Sequence, residues 1–191
     1  LCTRYLLMEQ YWEDDGKVHR KPDDDTVDIL EIALKNIAVR FFKLDEKGPF
    51  EEQEIEPVIR KSGSTSKYSA REIIQMIEYS GLLQRTGSSL YFVHRSVWEY
   101  FVAQGMRTEP LDNLIARANI PTWEEPIRLY VGLTLERELP QVLEELWKEN
   151  KGLTLRAMMD LSDFPHELLS RLIGTLDRQE RLRLVYQLED N

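Results

Sequence analysis

The sequence predicts a mainly α-helical protein that carries one small β-hairpin. Three observations predict it. Apolar residues recur at three- and four-residue steps over most of the chain, which places them on one face of a helix. Helix-start chemistry is present, most clearly in Ser69 three residues before Glu72, where each side chain can satisfy a free amide of the other residue. Short β-like runs flank one glycine turn, at residues 82–85 and 90–93.

The elements follow in order. Residues 1–12 place Tyr5, Leu6, Met8, Tyr11 and Trp12 at broad helical spacing, and residues 13–26, polar with Gly16 and Pro22, read as a loop. Residues 27–42 form the clearest helix, with Leu30, Ala33, Leu34, Ile37, Ala38 and Phe41 on one face and Asp25 or Thr26 as N-cap. Residues 43–50 read as a turn closed by Gly48-Pro49. Residues 51–60 read as a short helix whose second half Pro57 disfavours, and 61–66 as a loop. Residues 69–80 form a helix that buries Ile73, Ile74, Met76 and Ile77, with Gly81 at its left-handed end. The hairpin follows, then a helix over 96–104 that Gly105 is expected to stop.

Helix, helix, helix, hairpin, helix is the order a winged-helix domain needs: three helices bury one core and the hairpin packs on them as the wing. From 111 to 188 six further helices follow, at 111–118, 122–134, 139–149, 153–161, 167–176 and 178–188. Pro121, Pro126, Pro140 and Pro165 lie at or near their starts, where a missing amide costs little. Short helices of similar size in succession suggest stacked pairs of HEAT-like type, although no strict repeat is visible and a plain bundle is the alternative. The fold expected is therefore mainly α: a winged-helix domain with a small hairpin wing over 1–107, then a HEAT-like helical array over 108–191.

Composition narrows the function classes. The chain has 191 residues, a net charge of −9 and 31% charged residues, so it is neither disordered nor basic in the manner of a nonspecific nucleic-acid or membrane-surface binder. One cysteine, Cys2, cannot form an intramolecular disulfide, which suits a reducing cytoplasm. No apolar run approaches transmembrane length, and no signal peptide is visible. Leu1 reads as mid-helix, so a segment of a longer protein is expected.

No phosphate loop, dinucleotide fingerprint or His-Glu-x-x-His stands in the chain, and His19, His94 and His166 have no ligand spacing among them. No catalytic residue and no metal ligand is assigned. His94 and Ser96 are near neighbours without a third group to orient a base, which argues against a hydrolase. The winged-helix order raises DNA binding, with Arg71 and Gln75 on the helix before the wing and Arg60, Lys61, Lys67 and Arg85 as phosphate contacts. Residues 1–107 nevertheless hold fifteen Lys and Arg against eighteen Asp and Glu, so DNA readout is the secondary reading.

The strand-to-helix joint carries a resemblance. Phe92-Val93-His94-Arg95-Ser96-Val97-Trp98-Glu99-Tyr100-Phe101-Val102-Ala103 is similar to the winged-helix signature of NACHT-type signal-transduction NTPases. It agrees at His94, Ser96, Glu99, Tyr100, Phe101 and Ala103, while Val97 replaces a usual Phe and Trp98 a usual Gln. Gly81-Leu82-Leu83 resembles the segment before that signature. Trp123 to Leu133 resembles the helix that follows it, and Arg4-Tyr5-Leu6-Leu7 resembles the helix entering the domain. The resemblance implies that His94 contacts the β-phosphate of ADP held by an upstream NTPase domain of the same chain, as part of an autoinhibitory latch. It implies a helical array that senses or relays an unknown protein partner. It also implies that ADP, ATP and Mg²⁺ belong to the full-length parent, and that this segment is not itself an enzyme. A winged-helix DNA-binding regulator and a plain helical scaffold are the alternatives. Tyr91, Phe92, Trp98 and Phe101 read as core, and Glu99 as paired with a basic residue inside it. Trp123 and Tyr130 read as packing residues of the array.

Overall fold

The computed structural model describes residues 13–14, 17–18, 22–43, 48–63 and 67–189. The helix expected over 1–12, with Arg4, Tyr5, Leu6 and Leu7, lies outside the described residues, as do Cys2 and His19. The chain is mainly helical with a small three-stranded antiparallel sheet, and it divides into two compact units, Leu1–Gly105 and Met106–Asn191.

The first described elements of this unit are a two-residue antiparallel pair, β1 (Glu13–Asp14) and β2 (Lys17–Val18), inside the stretch expected to be loop. Helix α1 (Asp24–Lys43) starts earlier than expected. Neither Asp25 nor Thr26 caps it. Asp23 does, accepting at Oδ1 from the Thr26 amide at 2.8 Å and from the Thr26 hydroxyl. Asp24 and Asp25 then sit in the first turn and Arg40 and Lys43 in the last, each favourable against the helix dipole. Val27, Leu30, Ala33, Leu34, Ile37 and Ala38 are fully buried along its inner face.

The expected turn over 43–50 ends in a strand, β3 (Phe50–Glu51), reached through a cis Gly48–Pro49 bond. Phe50 stacks on Phe41 with ring centroids 4.4 Å apart. Helix α2 (Glu52–Lys61) begins with a capping box between Glu51 and Glu54 and stays helical through Pro57. Ile55 and Ile59 flank that proline and are fully buried, which offsets the roughly 3 kcal/mol an internal proline costs. Helix α3 (Ala70–Tyr79) carries the expected Ser69–Glu72 capping box and buries Ile73, Ile74 and Ile77. Gly81, at φ 73°, takes the left-handed conformation that lets the chain leave α3 and enter the sheet.

Strands β4 (Leu83–Thr86) and β5 (Ser89–Phe92) form the expected hairpin about Gly87 at φ 63°. The sheet order is β3-β5-β4, so β5 is central and β4 is an edge. Helix α4 (Arg95–Met106) then packs on α1, and here the structure corrects the sequence reading. Gly105 does not stop the helix. It lies buried within it, and a Cβ placed there would stand 2.4 Å from Val39 Cγ2 and 3.2 Å from the Lys35 carbonyl oxygen. The glycine permits a close helix crossing.

The second unit contains α5 (Leu111–Ile115), a 3₁₀ turn (Pro121–Trp123), α6 (Glu124–Leu133), α7 (Leu139–Glu149), α8 (Lys151–Met159), α9 (His166–Gly174) and α10 (Arg178–Glu189). Helix α5 ends short of 118, and Trp123 lies in the 3₁₀ turn, outside the helix expected from 122. Helix α7 packs on its neighbours α6 and α8, and helices also pack one further on: α5 on α7, α6 on α8, α7 on α9 and α8 on α10. Two ion pairs bind α6 to α8 reciprocally. Arg128 holds Asp160 at 2.7 and 2.9 Å, and Arg156 holds Glu124 at 2.6 and 3.1 Å. Asn150 is the single residue between α7 and α8. Its amide bonds Leu146 O at 2.7 Å, its Oδ1 caps the Leu153 amide at 2.9 Å, and its Nδ2 reaches Ala118 O at 2.8 Å. Trp123 is buried under the Arg117 guanidinium, 4.4 Å from its ring, while burial raises the Tyr130 phenol above its ordinary value.

Candidate functional site

The site begins at the joint between β5 and α4. The Val93 amide donates to Leu82 O at 3.1 Å, which ends the ladder. The His94 carbonyl accepts from Val97 and Trp98 at 3.1 and 3.2 Å, which starts the helix. His94 is therefore the capping residue through its backbone. Its imidazole is exposed, and no hydrogen bond to it is found among the described residues. A side-chain cap does not explain the histidine. The Arg95 and Ser96 amides, in the first turn, have no acceptor in the helical ladder, so an imidazole and two donors share one end of α4. Ser96 is also exposed.

Aromatic packing anchors the residues on both sides of this joint. Trp98 lies parallel to Phe92 at 6.0 Å, meets Phe42 and Phe50 edge-on at 5.1 and 5.6 Å, and donates from Nε1 to Ala38 O at 3.1 Å. Phe101 is 1% exposed. Phe92 and Phe101 are core as expected, while Tyr91 and Trp98 are half-buried. Glu99 is buried and does pair with a cation, but that cation is Arg95 one turn earlier, at 2.7 Å and largely exposed, not a core residue.

A second constellation lies on α3. Arg71, Gln75 and Tyr79 follow one another at four-residue steps and line a cleft of about 430 Å³ together with Glu52, Glu78 and Arg85. Arg85 donates to Glu78 at 2.7 and 2.8 Å and to Glu52 at 2.8 Å, and these contacts raise its pKa above the ordinary guanidinium value. Arg71, 75% exposed, reaches Glu52 only at 4.0 Å. Among the cations named as phosphate contacts, Arg60 pairs with Glu56 at 2.7 Å and Lys67 with Asp23 at 2.9 Å, so three of the four already hold carboxylates. Sequence reasoning named Arg71, Gln75 and Arg85 but missed the cleft that joins them to Glu52, Glu78 and Tyr79. The four-residue spacing of 71, 75 and 79 was the available signal.

His94 and His166 lie in different units, and the described residues contain no group of three His, Cys, Asp or Glu side chains able to hold a metal. No helix among them is long and apolar enough to cross a membrane. No protein-family model matches the chain, and no curated protein and no solved structure matches it.

Proposed function

We propose that the chain is the regulatory segment of a NACHT-type ATPase switch, in which residues 1–107 form a winged-helix latch and residues 108–191 a HEAT-like array. His94 carries the reading. It stands at a strand-to-helix joint, exposed, beside the amides that begin α4, in the sequence context that resembles the family signature. An anion fits that chemistry, because an imidazole and free helix amides both donate to a phosphate oxygen. The β3-β5-β4 order behind three helices supports the winged-helix part, and the packing of α6 on α8 and α8 on α10 supports the array. The phosphate loop, the Mg²⁺ and the nucleotide belong to an upstream NTPase domain, and this segment does not hydrolyse ATP. A cytoplasmic location and a protein partner for the array complete the proposal. The pairing of Arg60, Lys67 and Arg85 with carboxylates favours this reading over DNA binding.

The test is nucleotide retention in the full-length protein. His94→Ala removes one hydrogen bond to a charged group, about 1.5–3 kcal/mol, so ADP release should accelerate roughly 10- to 100-fold. Stopped-flow displacement of a fluorescent ADP measures it. An unchanged release rate would remove His94 from the nucleotide site and the reading with it.

A further inference from the structure

The cleft on α3 borders a strand with an open edge. Among the described residues, strand β4 pairs only with β5. The Val93 amide bonds Leu82 O, and an antiparallel ladder alternates, so Gln84 and Tyr91 form the next bonded pair. Leu83 and Arg85 then turn their backbone N–H and C=O groups outward, to the unpaired side. Leu83 is buried, whereas Arg85 stands at the surface. A segment adding to this edge would exchange both main-chain bonds with Arg85. The guest residue opposite Arg85 would point its side chain to the same face as Arg85, which is the cleft.

The cleft selects that side chain. Arg85 itself has its guanidinium committed to Glu78 and Glu52. Arg71 is the cation of the cleft that lacks a close carboxylate, with Gln75 one turn beyond it and the half-exposed Tyr79 ring one turn further. A carboxylate supplied from outside completes Arg71, and an amide and an aromatic ring lie along the same stripe. Duplex DNA fits less well, because it has no main-chain N–H and C=O groups to pair with the outward side of β4.

We propose that the β4 edge and the α3 cleft together form a docking site for an extended peptide segment, which adds as a strand to β4 and places an acidic side chain against Arg71. The site is separate from His94 and stands whether or not the nucleotide reading does.

The test uses the ¹⁵N-labelled 191-residue chain and the peptide acetyl-Thr-Val-Glu-Val-Thr-amide, followed by amide chemical shifts. Binding should perturb the amides of Arg71, Gln75, Leu83 and Arg85. N-methylation of the peptide's Glu removes the main-chain donor and keeps the side chain, and should weaken binding at least tenfold. Lys in place of that Glu, and Arg71→Glu in the protein, should each do the same, with the hairpin spectrum otherwise retained. Shifts that avoid β4 would overturn the proposal, as would equal affinity for the N-methyl or Lys peptides. So would preferential binding of a 20-base-pair duplex at low salt.

Discussion

One missing methyl group sets how closely α4 approaches α1. Gly105 faces Val39 and the Lys35 carbonyl at distances that leave no room for a Cβ. Gly105→Ala should therefore destabilise the protein by about 1–3 kcal/mol, despite the better helix propensity of alanine. Urea unfolding measures this. Adding Val39→Ala removes the nearer obstacle and should recover part of the loss, whereas an additive pair of penalties would contradict the contact. From sequence, a glycine after "VAQ" reads as a helix stop, because its conformational freedom is the local signal. The competing role, room for a neighbouring backbone, depends on residues about seventy positions away. His94 was legible for the opposite reason. A local string of residues singled it out, although the hydrogen bonds its carbonyl accepts, and its exposure, needed the structure.

At the scale of elements, α1 is held at its start by a cluster that links it to the α2–α3 connection. Asp23 accepts from the Thr26 hydroxyl and from Lys67 Nζ at 2.9 Å, and Tyr68 OH lies 3.0 Å from the Thr26 hydroxyl. The Thr26 hydrogen bond first, and then Lys67, hold the Asp23 carboxyl well below the usual carboxylate range. A depressed acid contributes stability above its unfolded pKa, about 3.9, and loses it as pH falls below that toward the folded value. Asp23→Asn keeps a competent cap and removes the charge. The melting temperature of the wild type should fall more between pH 7 and pH 3 than that of the variant; equal falls would show that the carboxylate does not act this way. The sequence placed the cap two or three residues late, because "DDDT" offers four acceptable caps in a row and only Lys67 and Tyr68, far along the chain, distinguish among them. Strand β3 escaped for a different reason. Two residues carry no period, and Phe50 joins the sheet through Leu90.

For the whole molecule, the succession of helices was legible in the apolar period, since one buried face marks helices such as α1, α3 and α7. The pairing of α6 with α8 was not, because the four charged residues that bridge them are ones any solvated helix could carry. Charge also governs the chain in solution. A net −9 at neutral pH opposes association of copies, and that repulsion vanishes near the pI of about 5.0. Static light scattering should rise as pH is lowered from 7 toward 5; a flat trace would mean that charge is not what keeps the copies apart. One corner of the second unit has a mechanical consequence. Asn150 ends α7, begins α8 and holds the turn after α5, all within a single residue. Such a corner has no slack. A residue inserted there would part the end of α7 from the cap of α8 and from the turn after α5.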